Sequence, residues 1–239
     1  MSKYGIIGQP LEHSFSAKWF NTLFMAHGIE AEYKEYEQSP EDVLSYADLD
    51  GFNVTYPYKQ TILPLLSEVD AVAQEIGAVN TVCRVGKNKY KGYNTDWIGF
   101  SVSLSNTLNS LSYKPQRAYI LGTGGAAKAV AYALKAMGIG CDFVSRSSQR
   151  GVPYSALDEL MVSEHLLIIN CTPLGMYPAI DSFPPFPYDF ISSRHILFDC
   201  IYNPSQTVFL SEGAKREATC VNGYEMLVEQ AKAAWQIWR

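Results

Sequence analysis

The sequence predicts an α/β architecture with mostly parallel sheets, arranged in two halves. Three observations carry this. Short apolar runs alternate with amphipathic, helix-length segments along the 239 residues, the pattern of strands laid side by side and joined by crossover helices. A turn rich in small residues, "GTGGAA" at 122–127, stands between one such run and one such helix. The grammar also changes after a helix that starts near 95–97, beyond which strand, turn, helix and strand follow one another in order.

"KYGIIG" (3–8) is an apolar run closed by Gly-Gln-Pro, hence a buried strand and a loop. "SAKWFNTLFMAHG" (16–28) has apolar residues at 19, 20, 23 and 24 and a terminal Gly, hence an amphipathic helix with a stop. "AEYKEYE" (31–37) alternates like a strand. "GFNVTYPYKQTIL" (51–63) begins as a strand, breaks at Pro57 and is expected to restart as a helix. "GAVNTVCRVGKNKYKGYNT" (77–95) reads as two strands joined by a Gly-Lys-Asn-Lys turn. A helix to about 110 follows, then the strand–turn–helix–strand of 117–147. "HLLIINCTP" (165–173), "HILFDCIY" (195–202) and "ATCVNG" (218–223) are further buried strands, and "YEMLVEQAKAAWQIWR" (224–239) is a final helix. The Pro-rich "SFPPFPYDF" (182–190) is a loop.

Composition excludes several function classes. A chain of this length with 47% hydrophobic residues buries a sizeable core. Its net charge is −5, and no basic stretch points to nucleic acid. The three lysines of "VGKNKYKG" (85–92) suit a solvated hairpin turn. Five scattered cysteines without CxxC spacing argue against a disulfide framework or a zinc site and favour buried free thiols. Neither a signal peptide nor an apolar run of about 18 residues is seen, so no membrane partner and a reducing, cytoplasmic location are expected.

The turn at 122–127 fits the G-x-G-x-x-G/A pattern of dinucleotide sites and has the strand before it and the helix after it that such a site needs. Gly122 permits a tight turn, and Gly124 lets backbone approach a pyrophosphate. Ala127 permits close helix–strand packing, and the N–H groups at the helix start, Gly125 and Ala126, face the anion. A ligand-free β-turn-α unit is the plainer alternative. Where the next strand ends, an acidic residue would hold the 2′-hydroxyl of NAD; this chain has Ser145, Arg146, Ser147 and Arg150. A guanidinium and hydroxyls suit a 2′-phosphate, which favours NADP. Asp142, three residues earlier than Ser145, is expected to be a strand-face residue.

Polar side chains gather in the first half. They are Ser14 and Ser16, Asn53 and Thr55 with Lys59 beyond, Asn80 and Thr81, then Asn94, Thr95 and Asp96. Several lie at strand ends, where an open sheet keeps its ligand crevice. They offer hydroxyls, amides, one ammonium and one carboxylate, and no cluster of metal ligands, which suits a small polyhydroxylated acid. Taken singly, Ser14 is a helix cap, Thr55 a cap for the helix after Pro57, Lys59 a surface cation and Asp96 a cap.

The chain as a whole resembles the shikimate dehydrogenase family. The resemblance runs through "GQPLEHSFS" (8–16), "GFNVTYPYK" (51–59), "IGAVNTV" (76–82), "GYNTDWIG" (92–99), "LGTGGAAKAV" (121–130), "NCTPLGM" (170–176), "DCIYNPSQTVFL" (199–210) and "NGYEMLVEQA" (222–231). It implies an α/β substrate-binding domain, residues 1–96 with 224–239, and a Rossmann-type NADP-binding domain, 97–223, facing each other across a cleft. The C-terminal helix would pack back on the first domain. It implies reversible, NADPH-dependent reduction of 3-dehydroshikimate to shikimate in aromatic amino-acid biosynthesis. By resemblance Lys59 and Asp96 are the catalytic pair, and Ser14 and Ser16 bind the substrate carboxylate. Thr55, Asn80 and Gln230 bind the substrate's hydroxyls or carboxylate region, with Tyr202 close by. Thr172 and Met176 line the nicotinamide side, and Gly223 lies near it. The chain departs from the family pattern at Ala17 (usually Pro), Phe20 (usually His) and Ser145 (usually Asn), and it is short between 147 and 165. A quinate-acting paralogue and a non-catalytic NADP-binding regulator are the alternatives, and the implied assembly is a monomer or homodimer.

Overall fold

Runs of apolar residues that lie between two layers of side chains form the strands of two sheets. A computed structural model describes residues 1–11, 15–46 and 48–239. The chain divides into two compact units, Met1–Thr95 with Ala231–Arg239, and Asp96–Gln230.

The first unit runs β1 (Ser2–Ile7), α1 (Phe15–Ala26), β2 (Ala31–Tyr36), α2 (Pro40–Tyr46), β3 (Gly51–Val54), β4 (Glu68–Val69), α3 (Ala71–Ile76), β5 (Thr81–Gly86) and β6 (Lys89–Tyr93). Its six strands lie in the order β2-β1-β3-β5-β6-β4. β1 pairs in parallel with β2 and β3, whereas β5 is antiparallel to both β3 and β6. Parallel pairs still prevail, as expected, β4 running parallel to β6 as well, but this sheet is mixed. The cause is the tight β5–β6 hairpin, whose Asn88 takes φ 55 at the turn. Alternate residues of the strands face opposite cores. Ile7, Phe52, Val54 and Val82 pack on one side; Tyr4, Ile6, Phe20, Phe24 and Tyr33 pack on the other with Ala231 and Ala234.

The second unit runs α4 (Asp96–Asn109), β7 (Arg117–Leu121), α5 (Gly125–Ala136), β8 (Gly140–Ser145), β9 (Val152–Pro153), α6 (Glu159–Glu164), β10 (Leu167–Asn170), β11 (Ile196–Asp199), α7 (Val208–Ala214), β12 (Thr219–Val221) and the start of α8 (Tyr224–Trp238). All its strand pairs are parallel, in the order β12-β11-β10-β7-β8-β9. That is a doubly wound sheet whose order reverses between β7 and β10. Both faces are covered: Ala118 and Ile120 of β7 enter one core, Tyr119 and Leu121 the other.

Two expectations change. No helix follows Pro57; turns and a 3₁₀ turn at Leu63–Leu65 stand there instead. The carbonyl of Lys59, which a helix would need, accepts from Val79 N at 2.7 Å. The C-terminal helix is shared between the compact units, its residues to Gln230 falling in the second. Gly99 explains this, because a Cβ there would overlap the Met226 carbonyl, so its absence lets α4 and the first turns of α8 pack in one core with buried Met226. The cysteines are free thiols, but four are only half-buried and Cys220 is exposed. Asp142 lies on β8, bonded to Arg117 and His165. No helix among the described residues is long and apolar enough to cross a membrane.

Candidate functional site

Each unit presents its own polar edge. In the first, the carboxyl ends of β1 and β3 lie side by side, with Ile7 opposite Val54. β5 starts and β6 ends at the same edge, because Asn53 pairs with Thr81 and Thr81 with Tyr93. The sheet order thus collects the segments carrying Ser16, at the start of α1, and Thr55, Lys59, Asn80 and Thr95 on one rim. Ser14 lies outside the described residues.

A buried hydrogen-bonded chain fixes this rim. Ser16 is buried, and its hydroxyl draws the Tyr33 pKa down against the larger effect of burial. Tyr33 Oη donates to Asn53 Oδ1 at 2.7 Å, and Asn53 Nδ2 donates to Asn80 O at 3.1 Å and Thr81 Oγ1 at 3.2 Å. Asn80 Oδ1 accepts from Thr95 N at 2.6 Å, while its Nδ2 donates to Thr95 Oγ1 at 3.0 Å. Asn94 Nδ2 donates to Ala78 O at 2.9 Å. Asn80, Asn94 and Thr95 are all buried, so the polar triplet before α4 is set by the frame around it and not by helix capping alone. Burial pushes the Tyr33 pKa well up, so its hydroxyl stays a donor. Tyr33 was not singled out from the sequence; in an alternating strand it looks like any core tyrosine.

Thr55 and Lys59 leave β3 in a turn held by main-chain bonds. Thr55 N donates to Ile7 O at 2.9 Å, and Tyr58 N to Thr55 O at 2.9 Å. Gly8 is required here, since a Cβ on it would overlap the Thr55 methyl. Both Thr55 and Lys59 are half-buried.

In the second unit the crevice lies at the reversal of strand order. Leu121 at the end of β7 faces Asn170 at the end of β10. Gly122 follows with φ +104, a conformation that favours glycine, and a Cβ there would stand 3.2 Å from Thr172 Cγ2. Gly124 is the N-cap of α5 and supplies no side-chain acceptor, so the amides of Gly125, Ala126 and Ala127 open toward an anion. Nothing lies within 4 Å of where a Gly124 Cβ would be, while Ala127 is fully buried against the sheet. This is a cradle that fits a pyrophosphate.

β8 ends in Ser145, whose Oγ bonds Ser147 N and O, both at 3.0 Å, so its hydroxyl shapes the turn. Arg146 is exposed beyond it. Burial pushes Tyr154 up to about 12 against the opposing charge of Arg146 nearby. Thr172 and Met176 follow β10, Tyr202 follows β11, and Gly223 follows β12 in close contact with the Cys200 carbonyl. Gln230 is buried and donates from Nε2 to Leu227 O at 2.9 Å.

Asp96 is buried as the first residue of α4, inside the helix and at the positive end of its dipole. It is one of the charges felt at Cys171. That thiol sits 3.6 Å from Cys200 Sγ, and burial, Cys200 and the carboxylates of Asp199 and Asp96 push its pKa well up. Among the described residues, no group of three or more His, Cys, Asp or Glu is placed to hold a metal.

Known proteins share this arrangement. A family model described as the shikimate dehydrogenase substrate binding domain matches residues 6–82. A shikimate dehydrogenase (NADP(+)) of Clostridium beijerinckii is 38% identical, with 100% of this chain and 92% of the relative covered. The structure of Thermus thermophilus shikimate 5-dehydrogenase in complex with NADP(H) and shikimate is 29% identical, with TM-score 0.86, covering 100% of this chain and 93% of that one. A Corynebacterium glutamicum quinate dehydrogenase in complex with NAD is 27% identical, with TM-score 0.85, over 99% and 93%.

Proposed function

The chain belongs to the shikimate dehydrogenase family, and on that premise we propose that it reduces 3-dehydroshikimate reversibly to shikimate with NADPH, serving aromatic amino-acid biosynthesis. The observation that supports it most is the glycine cradle at the reversal point of an all-parallel sheet, in a chain whose other unit gathers hydroxyls, amides and one ammonium on a single rim.

NADPH, when bound, supplies the hydride. The amides of Gly125, Ala126 and Ala127, with Gly122 and Gly124, hold the pyrophosphate, and Arg146 beside Ser145 takes the 2′-phosphate. Thr172 and Met176 line the nicotinamide side, near Gly223. Ser14 and Ser16 bind the carboxylate of the acid, while Thr55, Asn80, Gln230 and Tyr202 bind its ring substituents. Reduction turns a ketone oxygen into an alkoxide that needs a proton. Lys59 stabilises that charge and donates the proton; Asp96 accepts a hydrogen bond from a substrate hydroxyl and orients it. In the reverse direction Lys59 is the base. Free thiols throughout suit a reducing cytoplasm, and a monomer or homodimer would serve the reaction equally.

The test is spectrophotometric. Purified protein is offered shikimate or quinate with NADP⁺ or NAD⁺, and the reduced-nicotinamide absorbance is followed. The expected best pair is shikimate with NADP⁺. Faster turnover of quinate would assign the chain to the quinate-acting branch, and no reduction with any pair would make it a binding protein.

A further inference from the structure

Asp199 is a fully buried carboxylate for which hydride transfer has no use. It closes β11. Its Oδ1 accepts from Asn170 Nδ2 and from Ile201 N, both at 3.0 Å, and its Oδ2 accepts from Thr207 Oγ1 at 2.6 Å. The donors come from three pieces of the crevice edge: the end of β10, the turn that carries Tyr202, and the N-cap of α7.

The chain of bonds continues outward. Asn170 Nδ2 is held by Asp199 and by the Leu174 carbonyl at 3.3 Å, which fixes how the amide is turned. Its Oδ1 therefore points the other way and accepts from Thr172 N at 3.0 Å and Thr172 Oγ1 at 2.7 Å. Thr172 Oγ1 in turn accepts from Leu174 N at 3.3 Å. Gly175, with φ +99, sits where a Cβ would be 3.4 Å from Thr207, the same residue that bonds Asp199. Burying a carboxylate is costly unless its oxygens are filled with donors. An apolar residue would pack the end of a strand without that cost, so the charge is explained by the donors it orders.

We propose that Asp199 is a positioning residue for the nicotinamide end of the site: it orients the Asn170 amide, and through it holds the Thr172–Gly175 turn ready before a ligand arrives. This rests on the dehydrogenase reading for what the turn receives, and on the bond chain alone for how the turn is held.

Asp199→Asn is nearly isosteric and keeps an acceptor for Asn170 and Ile201, but it loses the charge-assisted grip. In the free protein, amide hydrogen exchange at 172–175 should rise about tenfold, the usual worth of that charge assistance, with β7 and β10 unchanged. By calorimetry, Kd for NADP⁺ should rise by about the same factor, while KM for shikimate stays put. Thr172→Val should weaken NADP⁺ alone, and adding Asp199→Asn to it should cost no more. Unchanged exchange at 172–175, Kd within twofold of wild type, or additive losses in the double variant would overturn the proposal. A wild-type protein without shikimate turnover would overturn the dehydrogenase reading instead, and the exchange result would still judge Asp199.

Discussion

Lys59 and Asp96 reach their places by different routes. The Lys59 main chain is pinned by Val79 N outside any helix, whereas Asp96 opens α4 directly after Thr95, whose hydroxyl and amide are already bound to Asn80. Main-chain and Asn80 bonds anchor both positions, so Lys59→Ala should still fold. It should lower kcat about 10²–10⁴-fold, with a smaller change in KM; steady-state rates within threefold of wild type would remove Lys59 from the chemistry. Asp199 gives a second test at this scale. Burial raises its pKa from 3.8 to about 6, against the pull of its three donors. Between those values the folded protein binds more protons than the unfolded chain. This residue therefore stabilises the fold most at low pH, and its contribution declines as pH rises through about 6, by roughly 2–3 kcal/mol in all. Urea titrations at pH 5 and 7.5 should show about half of that loss in wild type and not in Asp199→Asn; an equal change in both proteins would contradict it. Residue types at strand ends made Lys59, Asn80 and Asp96 candidates in the sequence. Tyr33 and Asp199 were not, because their meaning lies in bonds such as Tyr33 to Asn53 that span 20 positions.

At the scale of elements, legibility followed burial. β7, β10 and β11 are almost wholly buried, so each announced itself as an uninterrupted apolar run. The two-residue strands β4 and β9 and the short helices α6 and α7 have too few residues to show a period. The segment after Pro57 carries a helix-like pattern that tertiary bonds override. The glycine turn was legible as a motif, and its two first glycines now separate into two roles. Gly122 needs its positive φ for the fold. Gly124, at φ −79, tolerates a side chain and has nothing around its missing Cβ. Gly124→Ala should therefore leave the melting temperature within a few degrees of wild type while weakening NADP⁺ at least about tenfold, because a methyl group would stand on the phosphate cradle. Calorimetric binding beside a thermal melt separates the two effects; equal affinity in wild type and variant would remove the cradle from the reading.

At the scale of the whole molecule, one helix serves two cores. The first turns of α8 place Met226 in the second unit, against Phe100 and Phe198. Its last turns belong to the first unit, where Ala231 and Ala234 are fully buried. Trp238 stacks on Tyr4 at 5.0 Å and donates from Nε1 to Val82 O at 2.9 Å, and Trp235 meets Tyr4 edge-on at 5.8 Å. Gly51 has no side chain because the Trp238 indole lies over it. Losing a packed tryptophan costs about 3–5 kcal/mol, so losing both approaches the whole stability of a domain, about 5–15 kcal/mol. Neither core of the second unit contains a residue beyond Met226. A chain ending at Gln230 should therefore lose exchange protection in peptides covering 2–93 and keep it in those covering 117–221. It should still bind NADP⁺ but no longer turn over shikimate. Mass-spectrometric hydrogen exchange on the truncated protein decides the matter, because full protection of β1 and β3 without the last nine residues would show that the aromatic cluster is dispensable and that the helix does not complete the first unit.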